Sequence, residues 1–194
     1  MARNDILPLD DMQDRICRPF RLNASETFVL GEPVSLNADG ELTESADDPV
    51  DGDFLGIAAM DGDTAATNGL SAARFRLGSI TDTGIVTTGD LINVWIHQPG
   101  LHYSTPNYSS GGSAFGDVAM ALADILGERG GLSLISGSWG FDLTVTNFIA
   151  RGMDVRDRNG VTLQLNTNGT GRKVIFTVGH YQLITAGNLD AAIA

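Results

Sequence analysis

The sequence holds one cysteine, Cys17, one lysine, Lys173, and no long apolar run. A single thiol rules out an intrachain disulfide and a cysteine-based zinc site. Cys17 sits in Arg15-Ile16-Cys17-Arg18-Pro19, where two flanking arginines are placed to lower its pKa; an inert thiol is the ordinary alternative. No stretch approaches the roughly 20 apolar residues that span a bilayer, so no membrane partner is expected. The opening Met1-Ala2-Arg3-Asn4-Asp5 lacks the apolar stretch and cleavage site of a signal peptide, which predicts synthesis in a cytosol.

Positive charge is also scarce. The 194 residues carry 24 acids and 12 bases, a net charge of −12. The imbalance is local: residues 1–70 hold 15 acids against 4 arginines, and residues 71–194 hold 9 acids against 8 bases. Between Asp39 and Asp63 there are nine acids and no base. Nucleic-acid binders need a basic stripe to displace counterions, so nucleic acid is not an expected partner. An acidic surface keeps a protein soluble at high copy number and steers it toward basic partners; a plain solvated loop is the simpler reading.

Recognisable catalytic patterns are missing too. No Walker loop occurs, and no Gly-x-Gly-x-x-Gly follows a strand. Ser136-Gly137-Ser138-Trp139-Gly140 has a serine where a nucleophile elbow needs its first glycine, and Gly111-Gly112-Ser113-Ala114-Phe115 lacks the closing one, so both read as turns. His97 and His102 lie five apart, with His180 distant; a two-histidine metal site needs a carboxylate brought in by the fold, and hydrogen-bonded or solvent-facing histidine is the default. Asp51-Gly52-Asp53 and Asp61-Gly62-Asp63 invite a calcium reading. An EF-hand counted from Asp61 would need ligands where Ala65 and Ala72 stand, which excludes that loop type and leaves open a looser Ca²⁺ or Mg²⁺ site. A glycosidase carboxylate pair would sit among aromatic platforms, and the acidic region offers only Phe54. No catalytic, cofactor-binding or metal residue is assigned, no cofactor is expected, and the chain reads as a structural protein, not an enzyme.

What the sequence does have is strands and turns. Residues 42% hydrophobic with a mean hydropathy near zero indicate a folded protein. Residues 1–25 read as an N-terminal arm: Asp10-Asp11-Met12-Gln13 resembles a capping box, and Pro19 stops whatever starts there. Such an arm packs on its own domain or reaches onto a neighbouring subunit. Residues 26–98 read as a small β-barrel or sandwich. Phe28–Val34, Val34-Ser35-Leu36 with Glu41-Leu42-Thr43 around an Asn37–Gly40 turn, Phe54–Ala59, Ala73–Ile80, Ile85-Val86 and Leu91–Ile96 supply its strands. Gly56 marks a bulge or close approach. Residues 99–116 read as a loop or linker. In 117–194, Val118, Ala121, Leu122, Ile125 and Leu126 predict a helix over Asp117–Arg129 ended by Gly130-Gly131. An antiparallel meander follows, built from Phe141–Phe148, Val161–Leu165 and Val174–Ile184 with turns at Asn159-Gly160 and Asn168-Gly169. The expected fold is mainly β: a small barrel or sandwich, then a helix plus antiparallel meander.

The run Phe28-Val29-Leu30-Gly31-Glu32-Pro33-Val34, with Phe54-Leu55-Gly56-Ile57-Ala58, Phe75-Arg76-Leu77-Gly78-Ser79-Ile80 and Gly89-Asp90-Leu91-Ile92-Asn93-Val94, resembles the head-decoration (capsid cement) proteins of tailed bacteriophages. The resemblance covers about residues 20–96; residues 100–194 match no pattern of that family. It implies a β-rich virion protein made in the host cytoplasm and added to the capsid exterior, where it binds the major capsid protein and stabilises the head. It also implies a homo-oligomer, dimer or trimer. The arm Met1–Phe20 would extend the contact and order on binding, with the acidic loops facing solvent. A phage tail or fibre component is the first alternative. A carbohydrate-binding β-module, with Trp95, Trp139 or Tyr103 on an exposed platform, is the second.

Overall fold

A computed structural model describes residues 6–9, 17–23, 27–50, 52–59, 79–81, 91–98, 100–111, 115, 121–157, 159–163 and 172–179. The Asp10–Gln13 capping box, Ala73–Leu77, Ile85-Val86, Asp61-Gly62-Asp63, Asn168-Gly169, Ser113 and His180 lie outside them.

Alternating and β-branched runs pair into two main sheets. In the smaller one, β2 (Cys17–Arg21), β4 (Pro33–Leu36), β5 (Leu42–Glu44), β6 (Gly56–Ala58) and β8 (Leu91–Ile96) lie in the order β2-β8-β6-β4-β5. All its pairings are antiparallel. The β4–β5 hairpin turns at Asn37–Gly40 as its residues dictate. The Asn37 side-chain oxygen accepts from the amides of Asp39 and Glu41, and Gly40 takes a φ of 76°. Pro33 opens β4 and Pro19 lies on edge strand β2, the places where a missing N–H is tolerated. β3 (Thr27–Val29) and β7 (Ser79–Thr81) form a separate ribbon.

The larger sheet runs β1-β9-β14-β13-β11-β12-β10, from β1 (Leu7–Pro8), β9 (His102–Thr105), β10 (Tyr108–Ser109), β11 (Arg129–Ile135), β12 (Ser138–Asp142), β13 (Ala150–Arg156) and β14 (Lys173–Val178). Only the β10–β12 pairing is parallel. Ser136 (φ 53°) and Gly137 (φ 74°) form the two-residue turn joining β11 to β12, as a primed hairpin turn requires. Past β13 the chain turns at Asn159-Gly160, where the Asp157 carboxylate accepts from the amides of Asn159 and Val161.

The mainly-β class holds, and three expectations need correction. The small sheet is not a closed barrel: among the described residues its ends meet through one bridge, Leu22 with Leu42, which is short of a ladder. The expected helix over Asp117–Arg129 is absent from its described part, residues 121–129. That part is a 3₁₀ turn, Leu122–Asp124, followed by strand β11. Ala121 is extended (φ −107°, ψ 164°) and its amide donates to the Asp124 carboxylate at 2.7 Å, while Gly127 reverses the chain at φ 81°. The apolar spacing never made one buried face: Ile125 is fully buried, yet Leu126 is 51% exposed. Finally, residues 99–116, expected as a loop or linker, supply strands β9 and β10. Tyr103 and Thr105 point into the core there, and their polar neighbours His102 and Ser104 point out.

The principal core spans both sheets. Ile6 from the N-terminal segment and Phe54 and Ile57 from the small sheet pack with Tyr103, Phe141, Phe176 and Trp139 of the large one. Leu22, Val34, Leu42, Leu55, Ala58 and Val94 form a second cluster. Ile57 faces the first cluster and Ala58 the second, which is why Phe54–Ala59 reads as an unbroken apolar run. A Cβ at Gly56 would collide with the Trp95 carbonyl oxygen, so the close approach expected there is real.

Candidate functional site

Of the polar side chains the sequence singles out, His97, Tyr103 and Trp139 are engaged where the two sheets meet. His97 follows β8 and is 1% exposed. Its Nε2 lies 2.9 Å from the Val178 carbonyl at the end of β14, and its Nδ1 lies 2.9 Å from the Tyr103 hydroxyl on β9. A carbonyl only accepts, so Nε2 carries the proton and Nδ1 accepts from Tyr103. Phe54 and Tyr103 flank the ring, with centroids 5.7 Å and 5.6 Å away, and Tyr103 stacks in turn on Phe176. Burial lowers the His97 pKa to about 4, partly opposed by the Val178 hydrogen bond. Burial also pushes the Tyr103 phenol well above its usual value. This is a neutral, satisfied imidazole that ties the small sheet to two strands of the large one. His102 stands on the opposite face of β9 from Tyr103, so the fold does not bring it to His97.

Within the acidic segment Asp39, Asp47 and Asp53 are exposed and Asp48 is half-buried. The Asp47-Asp48 pair also reaches across to the large sheet. Asp47 Oδ1 accepts from the Leu134 amide at 2.7 Å and from the Ser133 hydroxyl at 3.2 Å. Asp48 accepts from the amides of Thr146 (2.8 Å) and Asn147 (3.1 Å), and its carbonyl accepts from the Asn147 side chain at 2.7 Å. Glu44 accepts from the Trp139 indole N–H at 3.4 Å. β13 pairs only with Arg129 and Gly130 of β11, so amides farther along β11 need other acceptors, and Asp47 supplies one. Asp48 holds the left-handed conformation at φ 51°, which aspartate tolerates better than most residues.

The remaining candidates separate. Ser136 lies in the β11–β12 turn and Ser138 opens β12, with no histidine in any hydrogen bond to them among the described residues. Cys17 is on edge strand β2, exposed, and its thiol is raised by partial desolvation, not lowered. Arg18, its strand neighbour, projects to the opposite face. Trp139 and Tyr103 are fully buried and Trp95 is half-buried, so these rings build no sugar platform. Among the described residues no three histidine, cysteine or carboxylate side chains converge as a metal site. No described helix is long and apolar enough to cross a membrane.

Sequence reasoning passed over the outward face of the large sheet. There the strand register sets Arg129 opposite Arg151 and Arg156 opposite Lys173. These residues are 22 and 17 positions apart in the chain, so only the pairing makes them neighbours. No protein-family model matches the chain, and no curated protein matches it at a significant level.

Proposed function

We propose that the chain is a structural virion protein, a decoration or cement protein that binds the outer surface of a phage head and stabilises it. One observation carries the reading. His97, which sequence analysis weighs as a metal ligand, and Tyr103 and Trp139, which it weighs as a sugar platform, are buried and hydrogen-bonded where one sheet joins the other. Together with the Gly-Glu-Pro-Val and Leu-Gly-Ile-Ala cadence of the small sheet, this supports a molecule that acts through shape and contact area. The partner in this reading is the major capsid protein, at the capsid exterior, with the protein present as a homo-oligomer. Described parts of the N-terminal segment, Leu7–Pro8 and Cys17–Arg21, pair within the chain's own sheets. In this reading those described parts belong to the body of the molecule.

The test is addition of purified protein to phage heads assembled from major capsid protein alone. Stoichiometric co-sedimentation and a higher temperature of head disruption are expected. Heads that bind none of it, or a substrate turned over by the purified chain, would overturn the reading.

A further inference from the structure

The outward face of the large sheet carries charges that the fold leaves opposed. On β13, Ala150, Gly152 and Val155 are buried and Arg151 is exposed; on β14, Val174 and Phe176 are buried inward, Lys173 is exposed, and Ile175 on the same side as Lys173 is buried. Arg129 stands directly opposite Arg151, and Arg156 directly opposite Lys173. Like charges at directly paired positions repel, so neither pairing helps the sheet form. The Asp154 carboxylate partly offsets them, with Oδ2 3.0 Å from Arg156 Nε. Arg129, Arg151 and Lys173 make no ion pair among the described residues. Met153, 37% exposed, adds apolar area beside the arginine row.

This face holds four of the chain's 12 bases, in a molecule whose residues 39–63 carry nine acids and no base. Asp47, Asp48 and Glu44 are engaged within the chain. Asp39 and Asp53 remain exposed on either side of β5. We propose that the face is a self-assembly surface: the cations of β11, β13 and β14 in one copy receive the acidic turns at Asp39 and Asp53 of a second copy. A polyanion is the poorer occupant, because 24 acids would repel it wherever the basic face did not shield them. Two complementary patches met twice close a two-fold dimer, and met once they make a head-to-tail contact that closes into rings or propagates as filaments. The contact does not depend on the capsid reading, but it bears on it: a ring fits a cement protein, and open growth fits the tail or fibre alternative.

Sedimentation equilibrium of the full chain tests this at about 0.15 M salt, where a Debye length of about 8 Å screens the net repulsion between copies. The wild type is expected to exceed its 20.5 kDa monomer mass at least about twofold as concentration rises. The Arg129→Glu/Arg151→Glu variant should associate at least about tenfold more weakly, and so should Asp39→Lys/Asp53→Lys. An equimolar mixture of the two variants should recover assembly, because each then presents the charge the other lacks. That recovery also separates a lost contact from a misfolded variant. A wild type that stays monomeric, a mixture that stays monomeric, or wild-type assembly by Arg129→Glu/Arg151→Glu would overturn the proposal. Duplex DNA retained by a monomeric wild type would do so as well.

Discussion

His97 links stability to pH with a definite sign. Its pKa falls from the ordinary 6.5 to about 4 on folding, because the buried ring is poorly solvated as a cation. Above pH 6.5 the imidazole is neutral in both states and the difference costs nothing. Between pH 6.5 and 4 the unfolded chain binds a proton that the folded chain refuses, so stability falls as pH falls. Below about 4 both states are protonated and this loss levels off, at about 3 kcal/mol in total. Carboxylates titrate in the same range, so the measurement is a difference: urea unfolding of wild type and His97→Asn at several values between pH 4 and 7. The wild type should lose more stability over that window than the variant; parallel curves would show that His97 stays solvated. That this histidine is hydrogen-bonded is the default reading of any histidine, whereas its partners Tyr103 and Val178 come from strands that only the fold brings close.

Among the elements, the segment between β5 and β6 does work that its composition conceals. Asp47 and Asp48 cap amides 87 to 99 residues away in sequence, holding the small sheet to β11 and to Thr146-Asn147. Hydrogen bonds to a charged acceptor contribute about 1.5–3 kcal/mol when buried and less when partly exposed. Asp47→Ala is therefore expected to cost about 1–2 kcal/mol in urea unfolding. Asp48→Ala should cost more, since alanine at φ 51° adds backbone strain, and Asp48→Gly should recover that added part. Equal losses for Ala and Gly at 48 would show that strain is not involved. The contrast with the β4–β5 hairpin explains what was legible. That hairpin is encoded locally, by Asn37, Gly40 and alternating flanks. β13 was missed because Ala150-Arg151-Gly152-Met153-Asp154-Val155-Arg156 shows little apolar alternation. Gly152 leaves an inward position empty, and Ile125 from the preceding turn fills it. The same Ile125 belonged to the helical spacing, so one long-range contact accounts for both errors. The acidic strap and the paired cations depend on register between distant strands, which composition does not carry.

Across the whole molecule, the shared core argues that the chain folds as one cooperative unit despite its uneven charge. The large sheet is incomplete without β1, and its aromatic interior is incomplete without Ile6, Phe54 and Ile57. Phe54 packs edge-on against Tyr103 at 6.1 Å, beside the His97 that ties Val178 in place. Residues 99–194 alone would therefore expose Tyr103, Phe176 and Phe141 on one side, and the fragment is expected to show neither cooperative melting nor dispersed amide signals. In the full chain, Phe54→Ala should cost about 3–5 kcal/mol and lower a single transition. Calorimetry distinguishes the cases, because one unit gives a calorimetric enthalpy equal to the van't Hoff value. Two resolved transitions, with Phe54→Ala moving only one of them, would mean that the sheets fold independently and that the aromatic seam is a docking contact between units. A single transition would mean that a load applied to the small sheet reaches the outward face of β13 and β14 through one continuous core, as a protein that works by contact area requires.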